Sequence, residues 1–240
     1  MATQKSLAYI LTAQDYRETS LLLRVFTETH GRLSLVAKGA RSTKSRNAHA
    51  FEPFQILQIG WSAKPDSTIG NLYTAEVETV YPVIRHNLQA YAQASTWFEL
   101  LNQLLPELEP SPTVFNLTTA FLDSMQNGFA PLPILTHLPA LFRLVGFEMP
   151  PPVCSGCGTL EQLLKFDPAT GEWTCVNCPS PSLAGTLHEP NAAVALKKFG
   201  SPLKPPELTS LLRVYHAYLL HHLERPLRTW EFLERNLISN

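Results

Sequence analysis

The first eighty residues break into short runs rich in apolar residues, some of which alternate with a period of two, and the rest of the chain repeats with a period near 3.6. Ser6 to Thr12, Thr19 to Thr27, Arg32 to Lys38, Phe54 to Trp61 and Leu72 to Tyr81 each read as a strand. In the third run Leu33, Leu35 and Ala37 share one face, and Arg32, Ser34, Val36 and Lys38 share the other. His30-Gly31 between the second and third runs is a hairpin signal. Five short strands with no helix longer than two turns predict a small closed barrel, of the SH3-like or OB kind.

Helical spacing begins at Leu88. Asn87 is placed to cap a helix reaching about Leu105, which Pro106 ends. Ser111-Pro112 reads as a cap followed by proline at the first helical position. The helix it opens carries Phe115, Leu117, Phe121, Leu122 and Met125, and Asn127-Gly128 stops it. Leu132 to Leu144 is apolar on most sides and so is expected to be central. Further helices are predicted over Asn191 to Phe199, Pro206 to Leu223 and Leu227 to Leu237. Their leucine and aromatic stripes read as core. The order is barrel, helices, an interruption, helices, divided at 1–81 and 82–240.

The interruption holds the four cysteines of the chain, Cys154-x2-Cys157 and Cys175-x2-Cys178, with seventeen residues between the pairs. Two such turns can aim four thiolates at one point and close a tetrahedral zinc site within segment 150–182. Phe166-Asp167-Pro168 and Gly171-Glu172-Trp173 predict a short hairpin between them, as in a zinc ribbon. Two disulfides would also use all four residues. Residues 1–30 lack the apolar run and cleavage site of a secretory leader, so a reducing cytoplasmic setting is expected and metal is preferred. Four sulfur ligands leave no open position for catalysis, which makes the zinc structural. His216, His221 and His222 do not share a helix face and read as packed or surface residues.

Net charge is −1, yet its distribution is uneven. Residues 1–49 hold eight basic residues against three acidic ones, and residues 82–240 hold ten against thirteen. Lys38 to Arg46 is the sharpest feature, with Lys38, Arg41, Lys44 and Arg46 and no acid. Cations on a loop leaving a barrel strand can follow a phosphate backbone without reading bases. Tyr9, Phe51, Phe54, Trp61 and Tyr73 could stack bases, but in so small a barrel aromatics are expected in the core. No GxxxxGK[ST] loop or GxGxxG turn occurs, and no run of 18 apolar residues spans a membrane.

Asp15-Tyr16-Arg17-Glu18-Thr19-Ser20, Phe26-Thr27 with Gly31, Ala37-Lys38-Gly39-Ala40-Arg41 and Phe51-Glu52-Pro53-Phe54, together with the placement of the cysteine pairs, resemble the RecO family of bacterial recombination mediators. The resemblance covers nearly the whole chain. It implies an N-terminal OB-fold and a C-terminal α-helical domain bearing a zinc site. It also implies a nucleoid-associated protein that binds single- and double-stranded DNA, anneals complementary strands and helps load recombinase in RecF-type repair. RecR and the acidic tail of single-strand-binding protein are the implied partners, and no bond-making chemistry is implied. Matching basic positions are Arg32, Lys38 and Arg41, with Lys44 and Arg46 following. The acidic balance of the helical half departs from a DNA path across it, and Phe51 stands where an aliphatic residue is common. Two other classes compete: a zinc-dependent enzyme of nucleic-acid metabolism, and an assembly scaffold whose barrel binds protein.

Overall fold

The computed structural model describes residues 3–42, 48–64, 67, 69–128, 132–179, 185–198 and 203–238. The chain divides into two compact units, Met1–Pro131 and Leu132–Asn240.

The first unit begins with five strands, β1 Gln4–Tyr16, β2 Ser20–Thr27, β3 Gly31–Ala37, β4 Gln55–Ala63 and β5 Ile69–Val80. They close into a barrel in the order β1-β2-β3-β5-β4. All pairs are antiparallel except β3 with β5, which run parallel from Ser34↔Ile69 to Ala37↔Leu72. This is the OB arrangement, and the parallel pair settles the choice that periodicity left open.

β1 is longer than its pattern predicted. Its first half pairs with β4 from Gln4↔Trp61 to Tyr9↔Ile56, and its second half with β2 from Ala8↔Thr27 to Tyr16↔Ser20. Ala13, Gln14 and Asp15 are exposed, so no buried side chain marks that half in the sequence. A bulge between Ile10 and Thr12 lets one strand serve both neighbours. Inside, Ala8, Ile10, Leu23, Val25, Leu33, Leu35, Leu57, Ile59 and Trp61 form the core. Each large side chain here contributes about 1.5–3 kcal/mol by leaving water.

Among the described residues, a 3-10 turn at Ala48–Phe51 and three α-helices complete this unit: α1 Pro82–His86, α2 Leu88–Leu104 and α3 Pro112–Gln126. The Asn87 side chain accepts a hydrogen bond from the Ala90 amide at 3.0 Å, as the cap reading expected. Ser111 makes no such bond, and α3 starts on Pro112 alone. Phe98 and Phe115 cover part of the barrel's outer wall. Tyr9 lies 5.6 Å from Phe98 and 4.7 Å from Phe115, Phe26 lies 5.7 Å from Phe115, and Phe54 lies 5.3 Å from Phe98. Tyr9, Phe26 and Phe54 are therefore buried although they face out of the barrel.

The second unit holds α4 Pro133–Leu144, a three-stranded sheet in the order β7-β6-β8, and helices α5 Pro190–Lys197, α6 Pro205–His222 and α7 Trp230–Ile238. The strands are β6 Leu163–Phe166, β7 Trp173–Cys175 and β8 Leu187–His188. Ile134, Leu135, Leu138, Leu141 and Phe142 of α4 are buried, in keeping with its uniform apolarity. Phe142 meets Tyr215 and Tyr218 of α6 at 5.9 and 6.0 Å. His222 packs on Tyr218 at 4.2 Å, and His216 stacks on Trp230 at 5.1 Å. These histidines belong to packing, as their spacing indicated.

Candidate nucleic-acid interface and metal centre

The outer wall of the barrel is covered by α2 and α3 around Tyr9, Phe26 and Phe54. The rest is open. Because Leu23 and Val25 are buried, Arg24 between them points outward and is exposed. It sits across from Ser34 on β3 and Thr12 on β1. Lys38, one residue past the end of β3, is also exposed. It lies four strand positions from Ser34, about 13 Å along the wall.

The segment after β3 turns sharply. Gly39 has φ +68, a left-handed conformation that glycine adopts without steric cost, and the Ser42 amide donates to its carbonyl at 3.0 Å. The Arg41 amide donates to the Thr19 carbonyl at 2.9 Å, which fixes the root of the basic segment against the β1–β2 hairpin. The Arg41 side chain then pairs with Asp15 at 3.1 Å, with 40% of the Arg41 and 70% of the Asp15 side chain exposed. Lys44 and Arg46 lie outside the described residues.

Arg32 is tied to the loop after α2. Its Nε donates to the Leu105 carbonyl at 2.9 Å, its Nη2 lies 3.8 Å from Glu107, and its own carbonyl accepts from the Leu108 amide at 2.9 Å. Only 14% of the side chain is exposed. Burial lowers its pKa, with Glu107 opposing. Arg32 marks the border where helix cover ends, and it stitches the loop after α2 to β3. Arg24, overlooked in the sequence, takes the open position on the same wall. Its signal was available: one cation inside an apolar alternation must project from the barrel.

The second constellation is the cysteine cluster. β6 and β7 form the expected hairpin, with Phe166 opposite Trp173 and the Asp167 amide donating to the Glu172 carbonyl at 2.9 Å. β7 carries Cys175. The other knuckle, at Cys154, is held by its amide to the Thr159 carbonyl and by the Ser155 amide to the Trp173 carbonyl, both at 2.8 Å. Gly156 leaves room for the facing knuckle, since a Cβ there would sit 3.0 Å from Cys178 Sγ.

The four sulfurs lie within 4.8 Å of one another, with Cys157 and Cys175 at 3.8 Å. None forms a disulfide. A tetrahedral centre with Zn–S bonds of about 2.3 Å sets its sulfurs about 3.8 Å apart. The Cys175 amide also donates to Cys154 Sγ at 3.3 Å, a contact that favours thiolate. Burial pushes Cys154 up, but amides of Cys175, Cys157 and Gly156 outweigh it and bring the thiol down to about 6. Hydrogen bonding to the Cys157, Cys175 and Cys154 sulfurs pushes Cys178 up to about 12. Four clustered sulfurs repel one another as anions, so a cation among them is what would let all four lose their protons. The four cysteines could hold a metal ion such as zinc.

Comparison with known proteins decides the family. The family described as "Recombination protein O N terminal" matches residues 1–81, and "Recombination protein O C terminal" matches residues 85–231. The chain belongs to the RecO family. It is 30% identical to the DNA repair protein RecO of Geobacter metallireducens over 244 residues, 98% of each chain. It is 28% identical over 235 residues to the RecO of Geobacter sulfurreducens, covering 95% of this chain and 96% of that one. A shorter match to the RecO of Methylococcus capsulatus reaches 37% identity over 121 residues, half of this chain and 48% of that one. The resemblance carried by Ala37 to Arg41 and by the cysteine pairs is thereby confirmed over the full length. RecO membership places the barrel and the cysteine cluster in a DNA repair protein. Among the described residues no helix is long and apolar enough to cross a membrane.

Proposed function

We propose that this RecO-family chain is a DNA-binding recombination mediator. In this reading the barrel, residues 1–81, is the DNA-binding domain. It binds single- and double-stranded DNA, anneals complementary strands and assists recombinase loading onto single-stranded DNA in RecF-type repair. The observation that carries the reading is the exposure of Arg24, Lys38 and Arg41 on and just beyond strands β2 and β3. Lys44 and Arg46 extend the same basic segment. Cations there neutralise phosphates of two strands and lower their mutual repulsion, so bases can pair with no atom activated.

The helical part, residues 82–240, contains segment 150–182, where Cys154, Cys157, Cys175 and Cys178 hold a structural zinc. With all four positions filled by sulfur, the metal braces the chain and takes no part in chemistry. The protein works by binding rather than as an enzyme. Reduced thiolates fit a cytoplasmic, nucleoid-associated protein. RecR and the acidic tail of single-strand-binding protein are the partners that family membership suggests.

The scaffold reading draws support from one fact: Arg41 is paired with Asp15. An exposed pair of this kind contributes at most about 1 kcal/mol, and a phosphate can displace it. Binding of single-stranded oligonucleotides measured across salt concentration tests the assignment. A steep fall in log K with log salt is expected. Salt-independent binding, or none, would overturn it.

A further inference from the structure

β5 contains an irregularity beside Lys38. Trp61 pairs with Leu72 and Gly60 with Thr74, so Tyr73 has no partner across the ladder and is the extra residue of a β-bulge. Leu72 packs on the core and Ala75 lies within it, so the inward-outward alternation shifts at this point. Gly60 permits the close approach, since a Cβ there would meet Thr74 Oγ1 at 2.5 Å. The bulge throws the Tyr73 ring outward, where 60% of the residue is exposed. Tyr9, Phe26, Phe54 and Trp61 of the same unit are each at 4% or less.

The ring is held rather than loose. Tyr73 Oη and Ser62 Oγ are hydrogen-bonded at 2.8 Å, which fixes the ring against β4. Together with Lys38, Ala40, Phe51 and Thr74 it lines a shallow hollow on the barrel wall. A fixed, solvent-facing aromatic next to a cation offers a π-face for a base and an ammonium for its phosphate. Glu76 and Glu78 follow on β5, so the Tyr73 end is the one suited to a polyanion.

We infer that Tyr73, presented by the β5 bulge beside Lys38, is a stacking platform for one unpaired nucleobase. The inference rests on the DNA-binding reading above and deepens it. Base faces inside a duplex are occupied by their neighbours, so the platform engages single strands only. A strand that finds its complement gives up this contact, and the duplex product is held by its phosphates alone.

The test compares oligothymidylate, an abasic oligonucleotide of the same length and charge, and a duplex. Tyr73→Ala is expected to weaken oligothymidylate binding about fivefold or more. Binding to the abasic strand and the duplex, and the salt slope, stay as in the parent. Tyr73→Phe keeps the ring and retains binding. Tyr73→Trp gains a fluorophore that oligothymidylate quenches and the abasic strand does not. Equal losses on oligothymidylate and abasic strands, or no loss on either, would overturn the platform while leaving the DNA reading intact. A parent protein that binds none of the three would sink both.

Discussion

Asp15 Oδ2 lies 3.1 Å from Arg41 Nη2, so one of the cations offered to DNA already holds a carboxylate. Both groups reach solvent, and exposed pairs contribute about 1 kcal/mol or less to stability. Asp15 therefore acts mainly as a competitor for phosphate. Asp15→Asn should leave thermal stability within about 1 kcal/mol of the parent. It should tighten single-strand binding and steepen the salt slope by up to about 0.7. Oligonucleotide titrations at several salt concentrations check this, and a slope unchanged from the parent would show that Arg41 does not meet phosphate.

The cations themselves form the second prediction. Arg24 on β2 and Lys38 after β3 are exposed, while Arg41 is anchored through its backbone to Thr19. Replacing Arg24, Lys38 and Arg41 together with Ala should flatten the salt slope by about two units and abolish strand annealing. Adding Lys44→Ala and Arg46→Ala should flatten it further. Circular dichroism of the variants should match the parent, because none of the three described residues lies in the core.

Much of this surface was legible in the chain, and the exceptions have physical causes. The β3 alternation of Leu33, Leu35 and Ala37 was visible because one face is core and the other is not. The cysteine pairs were visible because metal geometry constrains their spacing to a few residues. The second half of β1 was not, since Ala13 to Asp15 are exposed and bury nothing. The short α1 was also missed; at five residues it has no repeat to detect. The contacts of Arg32 were not legible, because its partners, the Leu105 carbonyl and Glu107, lie more than seventy residues away and no local pattern announces them. Tyr73 was masked by a bulge, which breaks the parity that strand reading assumes.

Arg32 and Gly31 should behave as stability residues. Arg32→Ala removes the donor to the Leu105 carbonyl and the partner of Glu107, at a cost of about 1–3 kcal/mol. It should leave the salt slope of DNA binding unchanged, unlike the substitutions at Lys38 and Arg24. Gly31→Ala should be worse. Gly31 has φ +68, and a Cβ there would sit 2.2 Å from the Glu109 carbonyl oxygen. The loop after α2 must then leave β3, and a loss above about 2 kcal/mol is expected. Urea unfolding of both variants measures this. A Gly31→Ala protein as stable as the parent would mean the loop does not dock as described.

The cysteine cluster yields the last prediction. Trp173 and Phe166 bury the base of the hairpin, but the knuckles around Cys157 and Cys178 bring little apolar surface of their own. Metal binding there can supply on the order of 10 kcal/mol of local folding free energy, far more than the hairpin contacts provide. X-ray absorption at the zinc edge should show four sulfur neighbours at about 2.3 Å. A lighter neighbour would point to an open coordination site and revive the enzyme reading. Stripping the metal with a strong chelator, or making Cys154→Ser with Cys175→Ser, should raise protease sensitivity across residues 150–179. The barrel carries its own core, so oligonucleotide binding should survive the same treatment, and its loss along with the metal would show that the cluster contributes to the DNA surface itself.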